Sequence, residues 1–277
     1  MAPMGPMEPT PPPFAIGRRL LIGGAIVATI AVIAVGSVLC VNAMAAQTVR
    51  EQHSYRFAGT ELDVDVAMGD VHILPGKAGQ ITVARRLSYG LRRPDMEERA
   101  LGDRFLIRDR TCVTLLALGC HSSWLIQVPR HVQVVASTSG GALSASGLSS
   151  SVKLLSSSGR VSAVSVVGPL LLRSKTGAVT ANDIRSDQVE AASEHGAVSI
   201  TFGTAPSLVL ARSESGQVAV VVPAGDAYRV QAASQEGSAT VTAKTDPTSH
   251  RRIDARSTSG NVRVEQVPGE DGTPADG

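Results

Sequence analysis

Three groupings of residues in this chain are of types that could do chemistry. Ser150 and Lys153 form S-x-x-K, and Lys175-Thr176-Gly177 spells K-T-G. These are two of the three signatures by which penicillin-binding proteins activate a serine for acyl transfer. The third is missing, because Ser186-Asp187-Gln188 is not S-D-N, and only 22 residues separate Lys153 from Lys175. That is too short for the intervening part of such a domain, so coincidence in a serine-rich chain is the expected reading. A glycan hydrolase or lyase would have to draw its acid and base from Asp183, Asp187, Glu190, Glu194, Glu214 and Glu236. These carboxylates fall at scattered positions, with no aromatic platform for a sugar ring nearby. Cys112 and Cys120 bracket Leu115-Leu116-Ala117-Leu118. Outside the cytoplasm they read as a disulfide closing a hairpin, with two buried thiols as the alternative. Together with His121 they match no common zinc spacing. His53, His72, His131, His195 and His250 complete the histidines and read as surface or turn residues. The expectation is no catalytic residue, no metal, no cofactor and no enzymatic activity.

The elements that must position any such side chain follow from a repeat. The unit S-x-x-G occurs seven times, as Ser137 to Gly140, Ser156 to Gly159, Ser174 to Gly177, Ser193 to Gly196, Ser213 to Gly216, Ser234 to Gly237 and Ser257 to Gly260. Successive glycines are 19, 18, 19, 20, 21 and 23 residues apart. Two residues after each glycine stand Ala142, Val161, Val179, Val198, Val218, Ala239 and Val262. Five before it stand Val135, Leu154, Leu172, Ala191, Ala211, Ala232 and Ala255. Period-2 apolar positions on both sides of a Ser/Gly turn describe strand, turn, strand. Leu62, Val64, Val66, Gly69, Val71 and Ile73 repeat the spacing once more, with Val66 in the serine slot. A coil of about 20 residues cannot enclose a core by itself, so successive coils must stack and share one. The expected fold is all-β, a β-solenoid of coils stacked in chain order. In that order the turn residues run Thr138, Ser157, Lys175, Glu194, Glu214, Gln235, Thr258, with Lys175 and Glu194 a favourable pair and Glu194 above Glu214 an unfavourable one. An antiparallel β-sandwich is the alternative. The strand-like runs between Gln80 and Val128 are expected to act as a cap.

Ahead of the repeats, residues 20–46 contain no charge, long enough to cross a bilayer, with Arg18 and Arg19 on the N-terminal side. The division expected is a Pro-rich cytoplasmic tail 1–17, a transmembrane signal anchor 18–46, a linker 47–61, an extracytoplasmic β-repeat domain 62–267 and a structureless tail 268–277. Cleavage after Ala43-Met44-Ala45 is the alternative. A lipid anchor at Cys40 is disfavoured, since Ser37-Val38-Leu39 is a poor lipobox. A net charge of +2, with one Trp, three Tyr and four Phe, argues against nucleic-acid binding.

The N-terminal apolar run, Gly69-Asp70-Val71 and the string of S-x-x-G-x-[VA] units resemble a family of bacterial β-strand-repeat proteins regarded as candidate adhesins, over roughly residues 60 to 265. The resemblance implies a membrane-anchored, surface-exposed β-repeat domain of unknown biochemical role, with some relatives linked to envelope stress. It brings no catalytic residues. The expected function is therefore a non-catalytic adhesin or envelope scaffold, with a sensory or regulatory subunit signalling through the Pro-rich tail as the alternative. Expected partners are the membrane and a cell-wall polymer or envelope protein. Arg85, Arg86, Arg92 and Arg93 open a stretch of mild basic excess that could meet anionic lipid heads or wall polymers. Otherwise they are solvated charges with internal pairing. Self-association through an uncapped column end is left open.

Overall fold

A computed structural model of the chain describes residues 28–33, 35–37, 47–89, 96–109 and 121–267. The chain divides into two compact units, Met1–Ala46 and Gln47–Gly277. In the first, residues 28–33 and 35–37 are helical. Most of the expected anchor lies outside the described residues, among which no helix is long and apolar enough to cross a membrane.

The second unit is built from coils that each enter a turn on one strand and leave it on another. Strands entering the turns form a leading sheet, and strands leaving them form a trailing sheet. The coils are β7 (Gln133–Gly140) with β8 (Leu143–Ser146), β9 (Val152–Ser156) with β10 (Val161–Val164), β11 (Leu170–Ser174) with β12 (Val179–Ile184), and β13 (Gln188–Ser193) with β14 (Val198–Phe202). They continue as β15 (Leu208–Ser213) with β16 (Val218–Val222), β17 (Arg229–Ser234) with β18 (Ala239–Val241), and β19 (Arg252–Ser257) with β20 (Val262–Gln266). Each strand pairs in parallel with its counterpart in the adjacent coil, as in Leu170↔Val189 and Val179↔Val198. The two sheets face each other, but parallel pairing between coils excludes the antiparallel sandwich and makes the unit solenoid-like.

The inward rows of the regular coils are aliphatic, while Phe57, Phe105, Trp124, Phe202 and Tyr228 are buried outside those rows. Leu154, Leu172, Ala191, Ala211 and Ala255 align in the leading sheet, and Ala163, Ala181, Ile200, Val220 and Val264 in the trailing sheet, all 0–1% exposed. Where one strand of a coil brings leucine the other brings alanine, and Ala191 is matched by Ile200. Large and small side chains thus alternate within a narrow core.

Order in space departs from order in the chain at both ends. Strand β2 (Glu61–Pro75) runs through both sheets, pairing with β7 and β8 on one side. On its other side lie β5 (Arg104–Asp109) and β6 (His121–Val128), which come later in sequence. At the far end β19 and β20 slip between β15/β16 and β17/β18. The expected strict chain order is therefore corrected. Thr258 stacks on Glu214, and Gln235 stacks on Thr258. The coils that come first and last in the chain, β2 and β19/β20, are thereby flanked on both sides, and β17/β18 becomes the outer coil at the far end.

Two further corrections concern register and boundary. In the first regular coil Thr138, and not Ser137, stacks on Ser156. Gly141, with φ +123°, takes the place assigned to Gly140, since the Cβ direction of Gly159 points at the Gly141 carbonyl. Leu143, not Ala142, then aligns with Val161. The expected linker 47–61 contains β1 (Gln47–Arg56), paired antiparallel with β3 (Gln80–Tyr89). Together with β4 (Met96–Leu101), antiparallel to β5, these strands close the N-terminal end.

Candidate functional site

The repeated turns use their serines on the backbone. Ser193 Oγ accepts from the N–H of Gly196 at 2.8 Å and donates to the carbonyl of Gly177, one coil away, at 3.0 Å. Ser174, Ser213, Ser234 and Ser257 repeat both bonds at 2.8–2.9 Å, with Gly159, Gly196, Gly260 and Gly216 as the carbonyl partners. Ser156 accepts from Gly159 N–H at 2.8 Å. Ser156, Ser174, Ser193, Ser213 and Ser257 are 5–8% exposed. Each hydroxyl that bonds both ways links a turn to its neighbour and is not displayed as a nucleophile. Ser137, outside the ladder, instead donates to Asp65 Oδ1 at 3.0 Å.

A trough of about 960 Å³ runs beside this ladder on the leading sheet. Its rim carries Arg173, Lys175, Arg212 and Arg256 against Glu194 and Glu214, and Ala192 and Ala233 line it. Residues 173, 192, 212, 256 and 233 form one row across five coils, and 175, 194, 214, 258 and 235 form another. Arg173 pairs with Glu190, and Arg256 with the Asp254 carboxylate at 2.6 Å. Arg212 is exposed and makes no ion pair among the described residues. Lys175 and Glu194 occupy adjacent rungs as expected, yet form no ion pair there. Glu194 and Glu214 are adjacent as well, with the Glu214 N–H bonded to the Glu194 carbonyl at 3.1 Å.

The S-x-x-K and K-T-G residues do not assemble into one site. Lys153 stands on the leading face opposite Leu171, whereas Lys175 belongs to the turn row, and Gly177 packs on Gly159. His72 bonds Ser144 Oγ at 2.6 Å and His195 bonds Ser215 Oγ at 3.2 Å, both at exposed positions. Among the described residues no cluster of histidine, cysteine and carboxylates could hold a metal. Cys112, Cys120, Arg92 and Arg93 lie outside the described residues.

Arg85 and Arg86 have different fates. Arg85 is enclosed by Glu51 and Glu98 and lies over the buried Trp124 ring, 5.6 Å from its centroid. Tyr55 donates to Glu98 at 2.7 Å, and burial followed by that carboxylate pushes its phenol up to about 12. Arg86 is exposed, opposite Arg50 and Ser123. The alternation of Ile81, Val83 and Leu87 puts Arg85 on the inward face and Arg86 on the outward one, but only the tertiary structure brings Glu51 and Glu98 to Arg85. Replacing Arg85 with Met should leave the Glu98 carboxylate, 6% exposed, without its cation. The expected loss is about 2 kcal/mol, seen as a lower urea midpoint. An unchanged midpoint would show that the cluster does not stabilise the cap.

Sequence reasoning also missed the second corner of the coils. Gly147, Ser165 and Asp183 occupy equivalent places there with φ of 65°, 52° and 49°. The Ser165 hydroxyl bonds Asp183 Oδ2 at 2.8 Å and, ahead of nearby Arg185, holds that carboxyl below its ordinary value. Side chains other than glycine in this backbone region were the missing signal.

The family model described as Toastrack DUF4097 matches residues 59–274. A search of curated proteins finds no match. Among solved structures, the chain is similar to a candidate cell adhesion protein from Clostridium sporogenes, at 11% identity and a TM-score of 0.38, over 80% of this chain and 100% of that one. A candidate adhesin from Bacteroides fragilis is similar at 13% identity and a TM-score of 0.39, over 79% and 97%. A candidate lipid binding protein from Parabacteroides distasonis is similar at 10% identity and a TM-score of 0.35, again over 79% and 97%.

Proposed function

We propose a function for a chain that belongs to the Toastrack DUF4097 family: a non-catalytic, membrane-anchored scaffold outside the cytoplasm that holds an extended anionic envelope polymer along its leading sheet. The observation that carries this reading is the trough beside the serine ladder. Its rim holds Lys175 and Arg212 without ion pairs among the described residues, Arg173 and Arg256 each paired with a carboxylate, and Glu194 and Glu214, on rungs about 4.8 Å apart that are fixed by backbone pairing. An open, periodic surface suits a polymer with repeating charge better than a small molecule, which needs an enclosing pocket. The ladder serines favour binding over acyl transfer, since their hydroxyls are engaged with the backbone.

Binding dominated by such contacts weakens with salt. Full-length protein in detergent micelles should co-sediment with isolated cell walls at low ionic strength and be released about ten-fold at high salt. Arg212→Ser should weaken sedimentation by about three-fold without shifting thermal unfolding, because exposed charges contribute little to stability. Salt-independent sedimentation, or none, would remove the polymer reading. The sensory alternative finds its support in the Pro-rich residues 1–17, which could meet a cytoplasmic partner as an extended ligand.

A further inference from the structure

The two ends of the column are finished differently. At the N-terminal end the outermost described strands are β1 and β4, each antiparallel to the strand beside it, and they carry Arg50, Arg56, Glu97 and Arg99. Charged edges of this kind resist pairing with another chain. At the opposite end the outermost strands are β17 and β18. Neither 230–234 nor 239–243 contains a charge or a proline. Tyr228 and Ala243 at the corner of this coil are buried, but the inward side chains of its two strands are only partly covered. Val230 and Ala232 are half-buried, while Ala239 and Val241 are exposed. Their partners one coil inward, Ile253, Ala255, Val262 and Val264, are 0–1% exposed. Among the described residues the core thus stops at this coil, with the outer backbone edges of β17 and β18 unpaired.

We propose that this end binds a second copy of the same chain, edge to edge, through antiparallel pairing of β17 with β17 of the copy. Charge selects this occupant. Arg229 and Glu236 stand exposed at opposite ends of the edge, and neither is ion-paired among the described residues. A two-fold axis at Ala232 places Ala232 opposite its own copy and Val230 opposite Ser234 of the copy, so inward side chains stay inward. The same axis sets Arg229 opposite Gln235 of the copy, next to Glu236 of the copy. Each cation therefore meets the other chain's acid, twice in one interface. A head-to-tail stack would need the closed, charged N-terminal end, so the contact closes as a dimer and does not grow into a filament.

Size sets the strength. Edges about 20 Å long on two sheets about 10 Å apart offer less than the roughly 800 Å² per partner of a standard interface. The expected dissociation constant is on the order of 10 µM, as for a weak association. This inference does not rest on polymer binding, although Val230 and Ala232 of the same strand also line the end of the trough.

Full-length protein in detergent micelles, weighed by light scattering from about 1 to about 200 µM, should pass from monomer to dimer. Ala232→Lys places a charge on the open edge and should raise the dissociation constant more than about ten-fold with an unchanged circular dichroism spectrum. Ala232→Cys should give a covalent dimer under mild oxidation that the parent chain, with its native cysteines, does not give. A monomer throughout the range, a dimer indifferent to Ala232→Lys with no cross-link in the Ala232→Cys variant, or species growing beyond the dimer would each overturn the proposal.

Discussion

Alanine at Gly196 is expected to cost about 3 kcal/mol or more and to lower the urea midpoint of the full chain by about 1 M. A Cβ at this position would lie 2.2 Å from the carbonyl oxygen of Gly177, 2.5 Å from its carbon and 2.8 Å from the nitrogen of Ala178. All three are backbone atoms of the neighbouring coil, already fixed by parallel pairing on both sides of the turn. No side chain can move aside to accept the methyl, so the two coils must separate locally. Separation would break the bonds that Ser193 makes across the same gap. Gly79→Ala is the control, because open space surrounds that position and only its φ of 71° opposes a side chain. Its expected cost is about 1 kcal/mol. Equal effects at Gly196 and Gly79 would mean that the turns do not touch.

Removal of one ladder hydroxyl gives the second large effect. Ser193→Ala leaves the Gly196 N–H and the Gly177 carbonyl without a partner in a site only 5% exposed. An unsatisfied buried polar group costs about 1–3 kcal/mol, so the pair should cost about 3 kcal/mol in equilibrium denaturation. Ser193→Thr keeps a hydroxyl, as Thr138 does in its own coil, and is expected to lose about half as much. Ser215→Ala, at an exposed turn position, should stay within about 0.5 kcal/mol of the parent. If Ser193→Ala proved as mild as Ser215→Ala, the ladder would be a geometric accident of the turns.

Much of the coil was legible because its signals are local. Val161, Val179, Val198, Val218 and Val262 were aligned by counting two residues from a glycine, and the trailing sheet stacks them in that register. The turn serines were legible for the same reason, since Ser Oγ and Gly N–H are three residues apart. The first coil was misregistered because Ser137 to Gly140 and Thr138 to Gly141 both satisfy the local pattern. The larger Leu143 would have favoured the second reading, since its burial requires Gly141 at the turn. Strand β1 escaped detection because one of its faces meets solvent and its alternation is polar. The trough was only half legible. Its rows follow from the repeat, but which arginine is paired and which is free does not.

The sequence by itself determined that the chain makes stacked coils of about 20 residues with serine–glycine turns and an aliphatic interior. Those features depend on contacts within one coil, or on the inability of one coil to bury its own apolar face. Only the tertiary structure decided that the last coil enters between two earlier ones, with Ser257 bonded to a glycine 41 residues away. It alone enclosed Arg85 between Glu51 and Glu98 and left Val230, Ala232, Ala239 and Val241 only partly covered at one end. Local patterns are the same in every coil, so they cannot say which coil neighbours which. That order is set by the packing of the whole column, which no single coil's pattern encodes.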